Sequence, residues 1–94
     1  MQNEQSLKDL IETMFDSYEL GEKMAENRIK NEWETIIGKT IARNTAKLSI
    51  HKKTLYIEVL SAPLKNELFY HKQIIVEKVN TYIGKKIIED IKIK

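Results

Sequence analysis

The sequence contains no cysteine, one proline and three widely separated glycines. The absence of cysteine excludes disulfides and thiolate metal sites, and it fits a reducing compartment, so a cytoplasmic protein is expected. Because Gly21, Gly38 and Gly84 are far apart, no glycine-rich loop is present that could cradle a phosphate. No apolar run approaches the ~20 residues of a membrane helix, and the start, MQNEQSLKDL, lacks the basic and apolar segments of a secretory signal.

Residues suited to catalysis are also scarce. His51 and His71 are the only histidines, and neither has a serine or aspartate partner at a recognisable spacing. The carboxylates of residues 9–34 follow the polar faces of predicted helices, where Glu26 and Lys30 are expected to form an exposed i,i+4 pair. The sequence therefore favours a protein that is not an enzyme and uses no metal or cofactor.

The composition that remains is that of one small globular domain. The chain has 94 residues, 41% hydrophobic and 32% charged, which predicts a single domain over residues 1–94. The net charge of +2 is unevenly spread, with a balance of −5 in residues 1–38 and +7 in residues 39–94. A basic second half can attract phosphate backbones, and the alternative is a solvated, lysine-rich surface.

Apolar residues recur at helical spacing in the first half of the chain. The pattern predicts a helix that begins after a cap at Ser6 and ends near Tyr18, with a break at Leu20–Gly21. A second helix is predicted over residues 22–37, and Trp33 on its apolar stripe is assigned to the core. Gly38 interrupts this helix, and residues 40–44 add a short helical turn.

Alternating residues predict a β-hairpin in the stretch AKLSIHKKTLYIEV, residues 46–59, and the tail at residues 89–94 alternates like a third strand. Between them, Ser61 is a predicted N-cap, and residues 64–83 are predicted to form two helices with a break at residues 70–73 and an end at Gly84. Phe69 and Tyr70 should flank that break, one buried and one exposed. The order α-α-β-β-α-α-β predicts an α+β fold of two layers, a three-stranded sheet covered by helices on one face.

The stretch NEWETIIGKTIARNTAKLSI, residues 31–50, resembles the DciA family of bacterial replicative-helicase loaders. The residues that carry the resemblance are Trp33, Ile36, Ile37, Gly38, Ile41, Ala42, Thr45, Leu55–Val59, Ser61–Pro63, Glu67, Leu68, Asn80, Gly84 and Asp90–Lys92. Each motif is short, but their order and spacing span nearly the whole chain.

The resemblance implies a K-homology-like (KH-like) fold, nucleic-acid binding and a role beside the DnaB-type replicative helicase. Three features depart from the family pattern. Lys52–Lys53 stands at the hairpin tip in place of Asp-Gly or Asn-Gly, and Leu64 stands in place of a tryptophan. Longer members also carry a flexible tail associated with helicase contact, whereas this sequence stops at Lys94.

K-homology domains hold the nucleic-acid backbone with a Gly-x-x-Gly loop, and residues 70–73, at the corresponding place, contain no glycine. Side chains would therefore neutralise the phosphates. The predicted nucleic-acid-binding residues are Lys39, Arg43, Lys47, Lys52, Lys53, Tyr56, Lys65 and Lys72. Tyr56 would stack on a base or merely cover its strand neighbours, and the Lys52–Lys53 tip is either part of a phosphate grip or a solvated turn.

The expected ligand is single-stranded or junction DNA, with RNA an open alternative, and the domain is expected to be a monomer with no membrane partner. The rival hypothesis is a protein-interaction adaptor whose acidic first half docks on a basic partner. In that case the fold would be only a platform, with no direct contact to nucleic acid.

Overall fold

The computed structural model describes residues 21–94, and the cap and first helix predicted between Ser6 and Tyr18 lie outside these residues. Residues 21–31 form helix α1, and Gly21 is already helical, so the predicted break does not include this glycine. After an irregular turn at Glu32, helix α2 covers Trp33–Ile37 and helix α3 covers Lys39–Arg43. Gly38 separates α2 from α3 with a φ of 98°, a conformation that favours glycine.

The hairpin follows directly and consists of β1 (Thr45–His51) and β2 (Thr54–Val59). Helices α4 (Ala62–Tyr70) and α5 (Lys72–Ile83) and strand β3 (Asp90–Ile93) complete the chain. The predicted cap at Ser61 is confirmed, because its side chain accepts a hydrogen bond from the Leu64 amide at 3.3 Å. Gly84 ends α5, as predicted, and it adopts a left-handed conformation.

The three strands form one mixed sheet in the order β1-β2-β3. Strand β1 runs antiparallel to β2, whereas β3 runs parallel to β2. The inward positions of the strands pack with helical residues in one core, which contains Ile29, Trp33, Ile36, Leu48, Leu55, Ile57, Leu68, Ile75, Val76, Val79, Ile88 and Ile91. The predicted α+β class is confirmed, and the arrangement is compatible with a small two-layer KH-like fold.

Trp33 is a core residue, as predicted, and it also joins three elements by hydrogen bonds. Its side chain is 4% exposed, and its Nε1 donates to Thr45 Oγ1 at 3.0 Å. The Thr45 hydroxyl in turn donates to the Ile41 carbonyl oxygen at 2.7 Å. The indole N–H is therefore satisfied while its ring is buried, as buried tryptophans require.

Glu26 corrects the expectation of an exposed Glu26–Lys30 pair. The residue is buried, and its Oε1 accepts a hydrogen bond from the Ile50 amide at 2.9 Å. Its other carboxylate oxygen lies 3.5 Å from Lys23 Nζ. Strand β1 is an edge strand of the sheet, and the Ile50 amide donates to Glu26 instead of to another strand. Glu26 therefore attaches α1 to that edge and satisfies a backbone donor there.

Asn80 holds the loop between α5 and β3. Its Oδ1 accepts from the amides of Ile87 at 2.9 Å and Ile88 at 3.0 Å, and its Nδ2 donates to the Ile88 carbonyl oxygen at 2.9 Å. Ile88 itself is fully buried. One side chain thus satisfies three backbone groups and places a core residue.

A second polar cluster attaches α1 to α5. The Tyr82 hydroxyl donates to Glu32 Oε1 at 2.7 Å, and Arg28 lies 3.3 Å from the other carboxylate oxygen. The Arg28 guanidinium also lies 5.5 Å from the centre of the Tyr82 ring. The hydrogen bond from Tyr82 and the contact with Arg28 lower the pKa of Glu32, against a smaller opposing effect of desolvation. The hydrogen bond that the Tyr82 hydroxyl donates to Glu32 raises the pKa of Tyr82.

We expect this cluster to make stability depend on acid pH. The pKa of Glu32 is lower in the folded state than in the unfolded state, so this carboxylate stabilises the fold fully at pH values above its unfolded pKa. The stabilisation is lost as the pH falls through the folded-state pKa. Tyr82→Phe removes the hydrogen bond, so the free energy of unfolding should fall less steeply between about pH 7 and about pH 3. Urea unfolding at several pH values measures the slope. Tyr70→Phe is the matched control, and equal slopes in the two variants would contradict the prediction.

Candidate nucleic-acid interface

The face of the sheet that points away from the core is polar and rich in lysine. Strand register places Ser49 beside Tyr56, and Tyr56 beside Lys92, across the three strands. Lys47 is paired with Glu58 on the same face. Because side chains alternate along a strand, these residues share one side of the sheet while their neighbours fill the core.

Tyr56 lines a shallow depression of about 140 Å³ on this face. The depression is lined by Lys47, Ser49, Tyr56, Ile57, Glu58 and Lys94. Lys94 Nζ lies 5.7 Å from the centre of the Tyr56 ring. Lys47 and Lys94 are both exposed, so their ammonium groups are free to reorient toward a bound anion. We call this set of six residues the sheet depression.

The two lysines of the hairpin tip, which replace the usual Asn-Gly or Asp-Gly, have a strained backbone. Lys52 and Lys53 have φ values of 48° and 62°, and a two-residue hairpin of type I′ requires positive φ at both positions. The Lys53 amide donates to Glu22 Oε2 at 3.0 Å, and its carbonyl oxygen accepts from the Glu89 amide at 2.8 Å. Lys53 Nζ also lies 3.8 Å from Glu89 Oε1. Within residues 21–94, Lys52 forms no such ion pair.

Replacing the tip by Lys52→Asn/Lys53→Gly should raise the free energy of unfolding by about 1 kcal/mol. Asparagine and glycine adopt positive φ at less cost than lysine, which outweighs the loss of one exposed ion pair. Chemical denaturation measures the change. The control is Lys85→Asn/Lys86→Gly, which removes the same charge where φ is not positive and should not stabilise. A tip variant no more stable than this control would show that the strain costs nothing.

The other predicted binding residues lie on helices. Lys39 and Arg43 are the first and last residues of α3, and Lys65 is on α4; all three are exposed. Lys72 begins α5, half-buried, with its Nζ 4.7 Å from the centre of the Phe69 ring.

The prediction that one of Phe69 and Tyr70 is buried is wrong. Their exposed fractions are 58% and 81%. Leu68, which is 3% exposed, occupies the core position at this end of α4. The next two side chains therefore point away from the core before the helix breaks at His71.

The structure brings Lys47 and Tyr56 together in the sheet depression, and it leaves Lys52 and Lys53 side by side at the tip. The four helical residues belong to the other layer, and no contact described for residues 21–94 joins them to the depression. Sequence reasoning missed Lys94 and Lys92. The alternation of the tail was the available signal, since inward Ile91 and Ile93 place the intervening lysines outside.

The described part of the chain offers little for other chemistry. Residues 21–94 contain no group of three histidine or carboxylate residues that could hold a metal ion. Among the helices of these residues, none combines the length and apolar character that crossing a bilayer requires. The fold and its surface define a small α+β domain with a basic, tyrosine-centred sheet face.

The comparison with protein families places this domain. The family described as Dna[CI] antecedent, DciA, matches residues 6–93, and the chain therefore belongs to the DciA family. This family takes part in loading the DnaB-type replicative helicase during DNA replication, and it is associated with that helicase. The resemblance seen in the sequence is thus confirmed. The search of curated proteins finds no match, and neither does the search of solved structures.

Proposed function

We propose that this domain binds DNA through the basic face of its sheet while it takes part in helicase loading. The observation that supports the proposal best is the sheet depression, which Lys47 lines together with Tyr56 and in which Lys94 Nζ lies 5.7 Å from the centre of the Tyr56 ring. Two lysines and one aromatic ring in the same depression suit a phosphate backbone with an accessible base. Lys52 at the nearby end of the hairpin extends the positive charge.

The electrostatics favour this assignment over a neutral docking face. The sheet depression contains two lysines, Lys47 and Lys94, against one carboxylate, Glu58, and residues 39–94, the part of the chain that supplies it, carry a balance of +7. Lysine contacts with phosphate release counterions and carry no base information, so the binding should be sequence-tolerant and sensitive to salt. The ring of Tyr56 would add stacking on unpaired bases, which favours single-stranded over duplex DNA.

The test is the affinity for a fluorescent single-stranded oligonucleotide, measured by anisotropy at several salt concentrations. Each neutralised phosphate lowers log K by about 0.7 per log unit of salt on single strands, so contacts by Lys47, Lys52 and Lys94 predict a slope of roughly −2. An RNA strand of the same sequence is measured in parallel to decide between the two nucleic acids. Absence of binding at low salt would remove the proposal.

A second candidate function, the protein-interaction adaptor, is favoured by a different surface. An apolar groove of about 420 Å³ lies between α2–α3 and α4–α5. Its apolar lining consists of Ile37, Ile41, Leu64, Leu68, Ile74 and Ile75. Purified DnaB-type helicase that still binds this domain after nuclease treatment, and binds a charge-reversed sheet variant equally well, would favour the adaptor.

A further inference from the structure

The junction of α4 and α5 presents two aromatic rings and a cation at one point of the surface. The ring centres of Phe69 and Tyr70 are 5.9 Å apart, with an interplanar angle of 88°. Lys72 Nζ lies over the Phe69 ring. The Phe69 ring therefore contacts both the Tyr70 ring and the Lys72 ammonium group.

Among residues 21–94, the Tyr70 ring contributes nothing to the hydrophobic core. The side chain is 81% exposed, and Leu68 already supplies the core contact at this helix end. Neither Tyr70 nor Phe69 lines the apolar groove between the helices. A large aromatic side chain held this far out of the core is available for a ligand.

The surroundings of the ring suit an anion. Helix α5 begins at Lys72, whose ammonium group is the cation over the Phe69 ring. Lys65 is one helical turn before Phe69, and Glu67 is the only carboxylate in residues 65–73.

We propose that Tyr70 is a stacking site for one unpaired base, with the adjoining phosphate held by Lys72. The ligand class is single-stranded nucleic acid, because the bases of a duplex offer no free face to an exposed ring. The inference rests on the proposed nucleic-acid binding and adds a second contact, in the helical layer. A protein ligand is less suited to two exposed rings and a lysine that lie outside the apolar groove.

The test combines a change in the protein with a change in the ligand. A thymidine oligonucleotide and an abasic strand of equal length are titrated against the unmodified domain and Tyr70→Ala. We expect Tyr70→Ala to weaken binding of the base-containing strand about tenfold and to leave the abasic strand unaffected. Tyr70→Phe should retain most of the affinity, since the ring is kept. Leu60→Ala, at a residue that is 71% exposed, is the matched control for loss of an exposed apolar side chain.

The outcomes separate this inference from the function on which it rests. If the unmodified domain fails to bind either strand at low salt, both proposals fall. If it binds and Tyr70→Ala binds equally well, or if both strands are weakened equally, only the stacking site is overturned. Loss of helicase binding in Tyr70→Ala with unchanged DNA binding would assign the ring to a protein partner. Circular dichroism of each variant confirms that the fold is retained.

Discussion

Asn80→Ala should lower the free energy of unfolding by about 3 kcal/mol. The substitution leaves the amides of Ile87 and Ile88 and the Ile88 carbonyl without their partner, and each half-buried group left unsatisfied costs about 1 kcal/mol or more. In a domain of this size that is a large part of the total stability, and it corresponds to a fall in Tm of roughly 10–20 °C. Thermal and urea unfolding measure the effect.

Asn66→Ala is the matched control, since Asn66 is exposed on α4 and alanine is the better helix former. We expect it to leave stability unchanged or slightly higher. Asn80→Asp should fall between the two, because it keeps the acceptor for both amides and loses the donor to Ile88. If Asn80→Ala proved as stable as Asn66→Ala, the loop would be held by its apolar residues alone.

The second large effect is expected on DNA affinity. Lys47→Glu/Lys94→Glu replaces both ammonium groups of the sheet depression by carboxylates, which removes two phosphate contacts and adds repulsion. Binding of a single strand at low salt should weaken at least about tenfold, and the slope against log salt should lose roughly 1.4. Both side chains are exposed, so the fold should be little affected.

The control keeps the net charge of that variant and moves the change away from the sheet. Lys78→Glu/Lys86→Glu alters exposed lysines of α5 and of the loop that follows it, which are outside the sheet face. If the electrostatic field of the whole molecule governs DNA binding, both double variants should lose the same affinity. If local contacts in the sheet depression govern it, only the sheet variant should lose affinity. Equal losses would therefore contradict the assignment of the depression.

The sheet and most of its helical cover could be predicted because their signals are periodic. Leu48, Leu55 and Ile57 alternate with polar residues, and a one-residue slip would expose all of them, so the inward face followed from the sequence. Ser61 and Gly84 marked a helix start and a helix end through local chemistry. These features depend on neighbours in the chain.

The features that could not be predicted depend on distant partners. Glu26 is buried because the Ile50 amide, 24 residues away, needs an acceptor at the sheet edge. In the sequence, Glu26 stands four residues before Lys30, a spacing that is typical of an exposed ion pair on a helix. The role of Asn80 likewise arises only when the loop after α5 folds back over it. Which lysines share a surface with Tyr56 required the parallel placement of β3, which brings Lys94 to the ring.

The central claim is that the open face of the sheet, around Tyr56, holds a nucleic-acid strand. The most direct measurement is a titration of the isotope-labelled domain with a short single-stranded oligonucleotide, followed through the backbone amide shifts in NMR spectra. We predict the largest shifts at Lys47, Tyr56 and Lys94, diminishing as salt is added. Shifts absent from these residues while other parts of the protein respond, or no shifts at all at low salt, would contradict it.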